Sequence, residues 1–258
     1  MKPLAELRVA GTRALLFDID ETLTTDGKLT AGAYSSLERW HSTGKRAVAV
    51  TGRPAGWCDH IARMWPVDAV VGENGAFYFR YHDGRLHKVY WDPADARERN
   101  RARLAAIAAR IVAAVPGCAL SADQPYRETD LAIDYCEDVP TLPLAQAERI
   151  AALMHEAGLH AKVSSIHVNG WFGNYDKLAM TRQLFASEFS LNLDRERHAV
   201  VYVGDSPNDA PMFDFFPRAV GVANIRRFAA LIATPPKYVS QASSGAGFAE
   251  VVAHLIAS

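Results

Sequence analysis

Apolar and polar positions fall into blocks along this chain, and the period of the blocks changes twice. Ala14-Leu15-Leu16-Phe17 is an unbroken apolar run that predicts a strand buried on both faces. Ala33, Tyr34, Leu37 and Trp40 then recur at helical spacing, with Gly44 placed as a helix stop. Ala47-Val48-Ala49-Val50 predicts a second buried strand, which ends at Thr51-Gly52-Arg53-Pro54. Trp57, Ile61, Met64 and Trp65 mark one face of a further helix, and residues 67–71 predict a third strand ending at Gly72-Glu73-Asn74-Gly75. Repeated strand–helix units of this kind predict a parallel sheet with right-handed crossovers.

The period changes after Ala76. Residues 77–81 and 86–91 are aromatic-rich and are joined by His82-Asp83-Gly84-Arg85, which predicts an antiparallel hairpin. A long helix carrying Leu104, Ile107, Ile111 and Val115 follows, then a strand over 131–135. Leu144, Ala147, Ile150 and Met154 predict a second helix stopped by Gly158, and a strand is expected over 161–168. These elements have apolar faces of their own, so residues 78–168 are expected to form an inserted α+β domain between two parts of a core, 1–77 and 169–258. The parallel pattern resumes with a helix over 176–189 and a strand over 199–203 that ends at Gly204-Asp205-Ser206-Pro207-Asn208-Asp209. A short helix through Met212 and Phe213, strands over 219–222 and 237–240, a loop over 242–247 and a helix over 248–256 complete the chain. The fold class is α/β: a Rossmann-like parallel-sheet core with an inserted α+β domain.

Composition narrows the function classes. A net charge of −1 offers no electrostatic footprint for nucleic acid or an anionic membrane. The 49% hydrophobic fraction is ordinary for a globular protein and no run approaches a membrane span. Lys2, Glu6 and Arg8 stand where a signal peptide needs apolar residues, so a soluble cytoplasmic protein is expected. Cys58, Cys118 and Cys136 are too scattered for a disulfide framework or a zinc knuckle and are assigned no chemistry. His155, His160 and His167 are assigned to surface and packing roles.

Candidate chemistry gathers where predicted strands end. Asp18 and Asp20 stand two apart at the end of the first buried run. Such carboxylates must be paired, hydrogen-bonded or bound to a metal, or else Asp20 only caps a turn. Thr51-Gly52 is either an anion-binding loop or a strand-end turn, Lys177 either a site residue or an exposed helix lysine, and Asn208-Asp209 either site residues or a helix cap before Pro211.

Taken together and in order, Asp18-Ile19-Asp20-Glu21-Thr22, Thr51-Gly52-Arg53, Lys177 and Gly204-Asp205-Ser206-Pro207-Asn208-Asp209 resemble the four motifs of the haloacid dehalogenase superfamily of phosphohydrolases. The inserted region, with Glu73-Asn74-Gly75 before it, resembles the C2B cap of Cof-type, sucrose-phosphate, mannosyl-phosphoglycerate and trehalose-phosphate phosphatases and of phosphomannomutase. Cof-type members often carry Gly at the position of Glu21. The resemblance implies a phosphomonoester hydrolase acting on a sugar phosphate. Asp18 would be the nucleophile and form an aspartyl-phosphate, with Asp20 as general acid and then base. Mg²⁺ would be held by the Asp18 and Asp205 side chains and the Asp20 carbonyl. Thr51, Gly52 and Lys177 would receive the phosphoryl oxygens, and Asn208 and Asp209 would support them.

Substrate clues fall in the cap. Arg127 stands in a polar cluster before a strand, and Asn169-Gly170-Trp171-Phe172-Gly173-Asn174 leads back to the core. Asn74, Arg127 and Asn174 are candidate substrate contacts. Trp171 either stacks on a sugar ring or packs within a glycine-flanked hinge, and a hinge predicts that the cap closes over the site. A phosphosugar mutase, a receiver-type phospho-acceptor and an inactive phosphosugar-binding protein are the alternatives. The intact Asp18/Asp20 pair and a cap of about 90 residues weigh against the last two.

Overall fold

The computed structural model describes residues 1–257. The strands are β1 (Lys2–Pro3), β2 (Ala14–Phe17), β3 (Arg46–Val50), β4 (Ala69–Gly72), β5 (Phe77–His82), β6 (Arg85–Tyr90), β7 (Ala119–Leu120), β8 (Leu131–Asp134), β9 (His160–Val163), β10 (His167–Trp171), β11 (Val200–Gly204), β12 (Ala219–Gly221) and β13 (Tyr238–Val239). The helices are α1 (Ala31–His41), α2 (Ala55–Met64), α3 (Ala94–Ala114), α4 (Leu144–Glu156), α5 (Lys177–Glu188), α6 (Leu193–Glu196), α7 (Ala210–Phe215) and α8 (Ser244–Ile256). Among the described residues, no helix is long and apolar enough to cross a membrane.

The larger sheet has the order β1-β13-β12-β11-β2-β3-β4-β5-β6, parallel up to β4 and antiparallel across β5 and β6. Its central strands are apolar at every buried position because helices cover both faces. Leu15 and Phe17 point to a layer containing Leu37, Trp40 and Phe248. Leu16, Val48 and Val50 point to the opposite layer, with Met180, Leu184 and Phe213. Each such side chain removed from water contributes about 1.5–3 kcal/mol. The smaller sheet, β7-β8-β10-β9, is antiparallel and packs Ile133 and Val168 against Leu104, Ile111, Ile150 and Met154.

Four expectations are corrected. The hairpin expected to open the inserted domain extends the larger sheet instead, with Val70 paired to Phe79, because Phe77 and Phe79 complete the core's apolar face. Sheet membership thus puts β5 and β6 with the larger sheet and β7 to β10 in the smaller one. The single strand expected over 161–168 is two strands. Ser164 breaks it: its hydroxyl accepts from the His167 amide at 3.0 Å and donates to the His167 carbonyl at 3.0 Å, closing a turn. In α2 the buried face is Ala55, Cys58, Ile61 and Ala62, while Trp57 and Met64 are exposed, because small residues let the helix lie close to the sheet. Part of the loop expected over 242–247 is the first turn of α8. A Cβ on Gly245 would come within 2.7 Å of the Leu23 carbonyl, so its smallness permits the approach.

Candidate active site

Strand register brings the motif residues together. Phe17 at the end of β2 pairs with Val203 on one side and Ala49 on the other, so the residues that follow leave the carboxyl edge of the sheet side by side. This edge is where ligands gather in open α/β sheets. The Asp18 amide continues the ladder to the Val203 carbonyl at 2.9 Å, and the Thr51 amide reaches the Val71 carbonyl at 2.9 Å. Lys177 arrives from the first turn of α5, whose start is fixed by the Asp176 side chain accepting from the Ala179 amide at 2.7 Å.

The Lys177 ammonium is 1% exposed and lies 2.8 Å from Asp18 and 2.7 Å from Asp209. Burial pushes its pKa down, but the two carboxylates outweigh that and hold it above the ordinary value, so the amine stays charged. Asp209 also accepts from the Tyr202 hydroxyl and from the amides of Asp205 and Ser206. Asp18 is pushed up to about 7 by burial, with Lys177 pulling it down and Asp209 and Asp20 pushing it up. Burial, Asp18 and Asp209 push Asp205 well above the usual carboxylate range.

Asp205 Oδ2 accepts from Asn224, but its Oδ1 is buried without a hydrogen-bond partner. An orphaned carboxylate oxygen beside two more carboxylates is the signature of a cation site. Ligand atoms of Asp18, Asp205 and Asp209 lie within 4.8 Å of one another. Since Asp209 is fully engaged with Lys177, Tyr202 and two amides, Asp18 and Asp205 are the pair left to hold an ion. All are hard oxygen donors, which suits Mg²⁺.

The Thr51 hydroxyl accepts from the Arg53 amide at 3.0 Å, which leaves its proton available. A Cβ on Gly52 would stand 3.2 Å from the Asn74 side-chain nitrogen, a tight contact that glycine avoids. Glu21 adopts φ 54°, in the left-handed region, and its carboxylate is tied to the Gly27 amide and the Ser244 hydroxyl.

Asp18, Asp20 and Arg53 from the core face Ser164, His167 and Asn169 from the cap across a crevice of about 10 Å³. That is room for about one water molecule. A groove of about 950 Å³ between α2 and α3 is far larger but contains none of the strand-end carboxylates.

Residues 15–98 match the family model of haloacid dehalogenase-like hydrolases. That match covers the first part of the chain, about a third of its length. A comparison with curated proteins gives no match. Among solved structures, a Thermoplasma acidophilum protein is 19% identical with a TM-score of 0.72, over 95% of this chain and 98% of its own. A Cof-like hydrolase from Plasmodium vivax is 16% identical with a TM-score of 0.70, over 97% of this chain and 98% of its own. The sucrose-phosphatase of Synechocystis, solved with sucrose and phosphate, is 18% identical with a TM-score of 0.63, over 95% of this chain and 98% of its own. These are likenesses of fold.

The motif residues Asp18, Asp20, Thr51, Gly52, Lys177, Asp205, Asn208 and Asp209 sit at one edge of the sheet; of the expected substrate residues, Asn74 and Arg127 touch this edge but are occupied by protein partners, whereas Asn174 lies apart. Asn74 donates to Asp130 at 3.4 Å and accepts from Asn208 at 3.3 Å. Arg127 is fully committed to Asp123, Asp130 and the Gly52 carbonyl. Asn174 is exposed and lines a groove with His155 and His160, away from the crevice, because β10 carries the chain past the site before the segment turns. Trp171 is buried, donates to the Tyr175 carbonyl and stacks on Tyr175, so it packs rather than faces a ligand. His167, assigned to packing, lines the crevice and lies 2.9 Å from Glu137.

Glu73 fastens the cap. Its carboxylate, fully buried, accepts from the amides of Ala55, Glu128, Thr129 and Asp130 and from the Thr129 hydroxyl. Burial pushes its carboxyl up to about 7. Glu73→Ala strands these donors, and a loss of about 3–5 kcal/mol is expected, a fall in Tm on the order of 10 °C by calorimetry. An unchanged Tm would show that water replaces the carboxylate.

Proposed function

We propose that this protein is a haloacid dehalogenase-type hydrolase that removes phosphate from a phosphomonoester, a sugar phosphate, with Mg²⁺ and through a phosphorylated Asp18. The observation that carries the reading is the meeting of the Asp18 carboxylate, the buried Lys177 ammonium and the unpartnered Asp205 oxygen at the end of the central strand. The first is a nucleophile, the second a charge for the phosphoryl oxygens, and the third a ligand for a cation.

Asp18 and Asp205, with the Asp20 carbonyl, would hold the ion, which when bound supplies charge neutralisation between an anionic ester and an anionic nucleophile. An Asp18 oxygen attacks phosphorus in line as the ester P–O bond breaks, and the leaving oxygen takes its proton from Asp20. Thr51, Gly52 and Lys177 receive the equatorial oxygens, each such donor contributing roughly 10²- to 10³-fold in rate. Asp20 then accepts a proton from the water that hydrolyses the acyl phosphate and regenerates Asp18. The fold shared with a sucrose-phosphatase supports the sugar-phosphate class.

The test is phosphate release from 4-nitrophenyl phosphate and a panel of sugar phosphates. Turnover that requires Mg²⁺ and is abolished by EDTA supports the reading. A stable phosphoenzyme that yields no free phosphate but passes the group to a sugar would favour the mutase.

A further inference from the structure

Arg53 joins the core to the cap with a single side chain. Its Nε donates to both Asp20 oxygens at 2.8 and 3.0 Å, and its Nη2 lies 2.8 Å from Asp20 and 2.5 Å from Glu137. Its Nη1 lies 3.4 Å from Asp123 and 3.4 Å from the second Glu137 oxygen. Each nitrogen of the fork thus has a carboxylate oxygen within 3.4 Å. The side chain is 4% exposed, and the Trp57 ring covers the guanidinium at 4.3 Å.

The cap acids are presented rigidly. Asp134, at the end of β8, accepts from the amides of Cys136, Glu137 and Asp138 and so fixes the loop that carries Glu137. His167 holds the second Glu137 oxygen at 2.9 Å. Asp123 is anchored by Ser121 and Arg127.

We propose that Arg53 is a positioning residue that ties the orientation of Asp20 to closure of the cap through Glu137. The proposal rests on the phosphatase reading above. Asp20 and Arg53 belong to the core, whereas Glu137, His167 and Asp123 belong to the cap. When the cap swings away, the guanidinium loses the partners that fix it, and Asp20 loses its fixed orientation with it. Transfer of the Asp20 proton to the leaving oxygen, which yields the alcohol and an Asp20 carboxylate as the P–O bond breaks, is thereby confined to the closed state. The carboxylate that results finds its counter-charge already in place.

Leaving groups separate this role from a merely structural one, since a nitrophenolate departs without a proton whereas a phenol or a sugar alcohol needs one. The measurement is kcat with Mg²⁺ for 4-nitrophenyl phosphate, phenyl phosphate and glucose 6-phosphate, in wild type, Glu137→Gln, Glu137→Asp and Arg53→Lys. In Glu137→Gln and Arg53→Lys, kcat on the two poorer leaving groups is expected to fall at least about tenfold further than on 4-nitrophenyl phosphate, given the usual size of general-acid contributions. Glu137→Asp, which keeps the charge, recovers part of the difference. An equal loss on all three substrates, or none, overturns the proposal while leaving the phosphatase intact. Wild type inert toward all three overturns the phosphatase reading itself.

Discussion

Replacing Asp18 with Asn is expected to lower kcat by at least about 10³-fold while leaving Tm nearly unchanged, as for removal of a covalent nucleophile. The two halves of this result have separate causes. Asn keeps the shape of the side chain and an oxygen that accepts from Lys177, now found at 2.8 Å. Because burial already pushes the Asp18 carboxyl up to about 7, a neutral group at this position costs the fold little. What is lost, on the proposed mechanism, is the oxygen that bonds to phosphorus. Phosphate release and mass spectrometry of the quenched enzyme read the two halves of the chemistry. Turnover within about tenfold of wild type would move the nucleophile to another residue.

Lys177→Met is expected to cost both stability and rate. The ammonium lies between Asp18 and Asp209, each buried and within 2.8 Å, and an apolar end leaves two carboxylates facing one another. Breaking a buried pair by removing one partner costs about 3–5 kcal/mol. In a chain of this size that is a fall in Tm on the order of 10 °C. Loss of one phosphoryl-oxygen partner adds roughly 10²-fold or more in kcat. The sign with pH is fixed by the direction of the lysine's shift. Its pKa is held above the ordinary 10.5, so the contribution is full at neutral pH and fades only as pH rises through the folded value. Lys177→Arg is expected to rescue little, because a guanidinium does not fit where the lysine is 1% exposed. Calorimetry of both variants decides the matter, and a Met variant as stable as wild type would show that the two aspartates do not need the charge.

The candidate edge was legible because its chemistry leaves marks in one dimension. A buried apolar run that ends in two carboxylates is a conflict of patterns, and such conflicts point to function. The cap side of the site left no such mark. Glu137 meets Arg53 across 84 positions, and nothing in Cys136-Glu137-Asp138 separates it from a solvated turn. Ser164-Ser165-Ile166 was hidden inside the single strand expected over 161–168, although two adjacent serines are a turn signal, and reading them as one would have brought His167 to the crevice. Asn174 looked functional because it sits near Lys177 in sequence, but the strand before it carries the chain past the site. Arg53 was quoted with its motif and given no role, since an arginine's partners cannot be read from spacing.

A crevice of about 10 Å³ also bears on how a substrate enters. Room for about one water does not hold a phosphoryl group. On the proposed mechanism Ser164, His167 and Asn169 must therefore move away from Asp18 and Asp20 before an ester binds, and opening of the cap sets a ceiling on turnover.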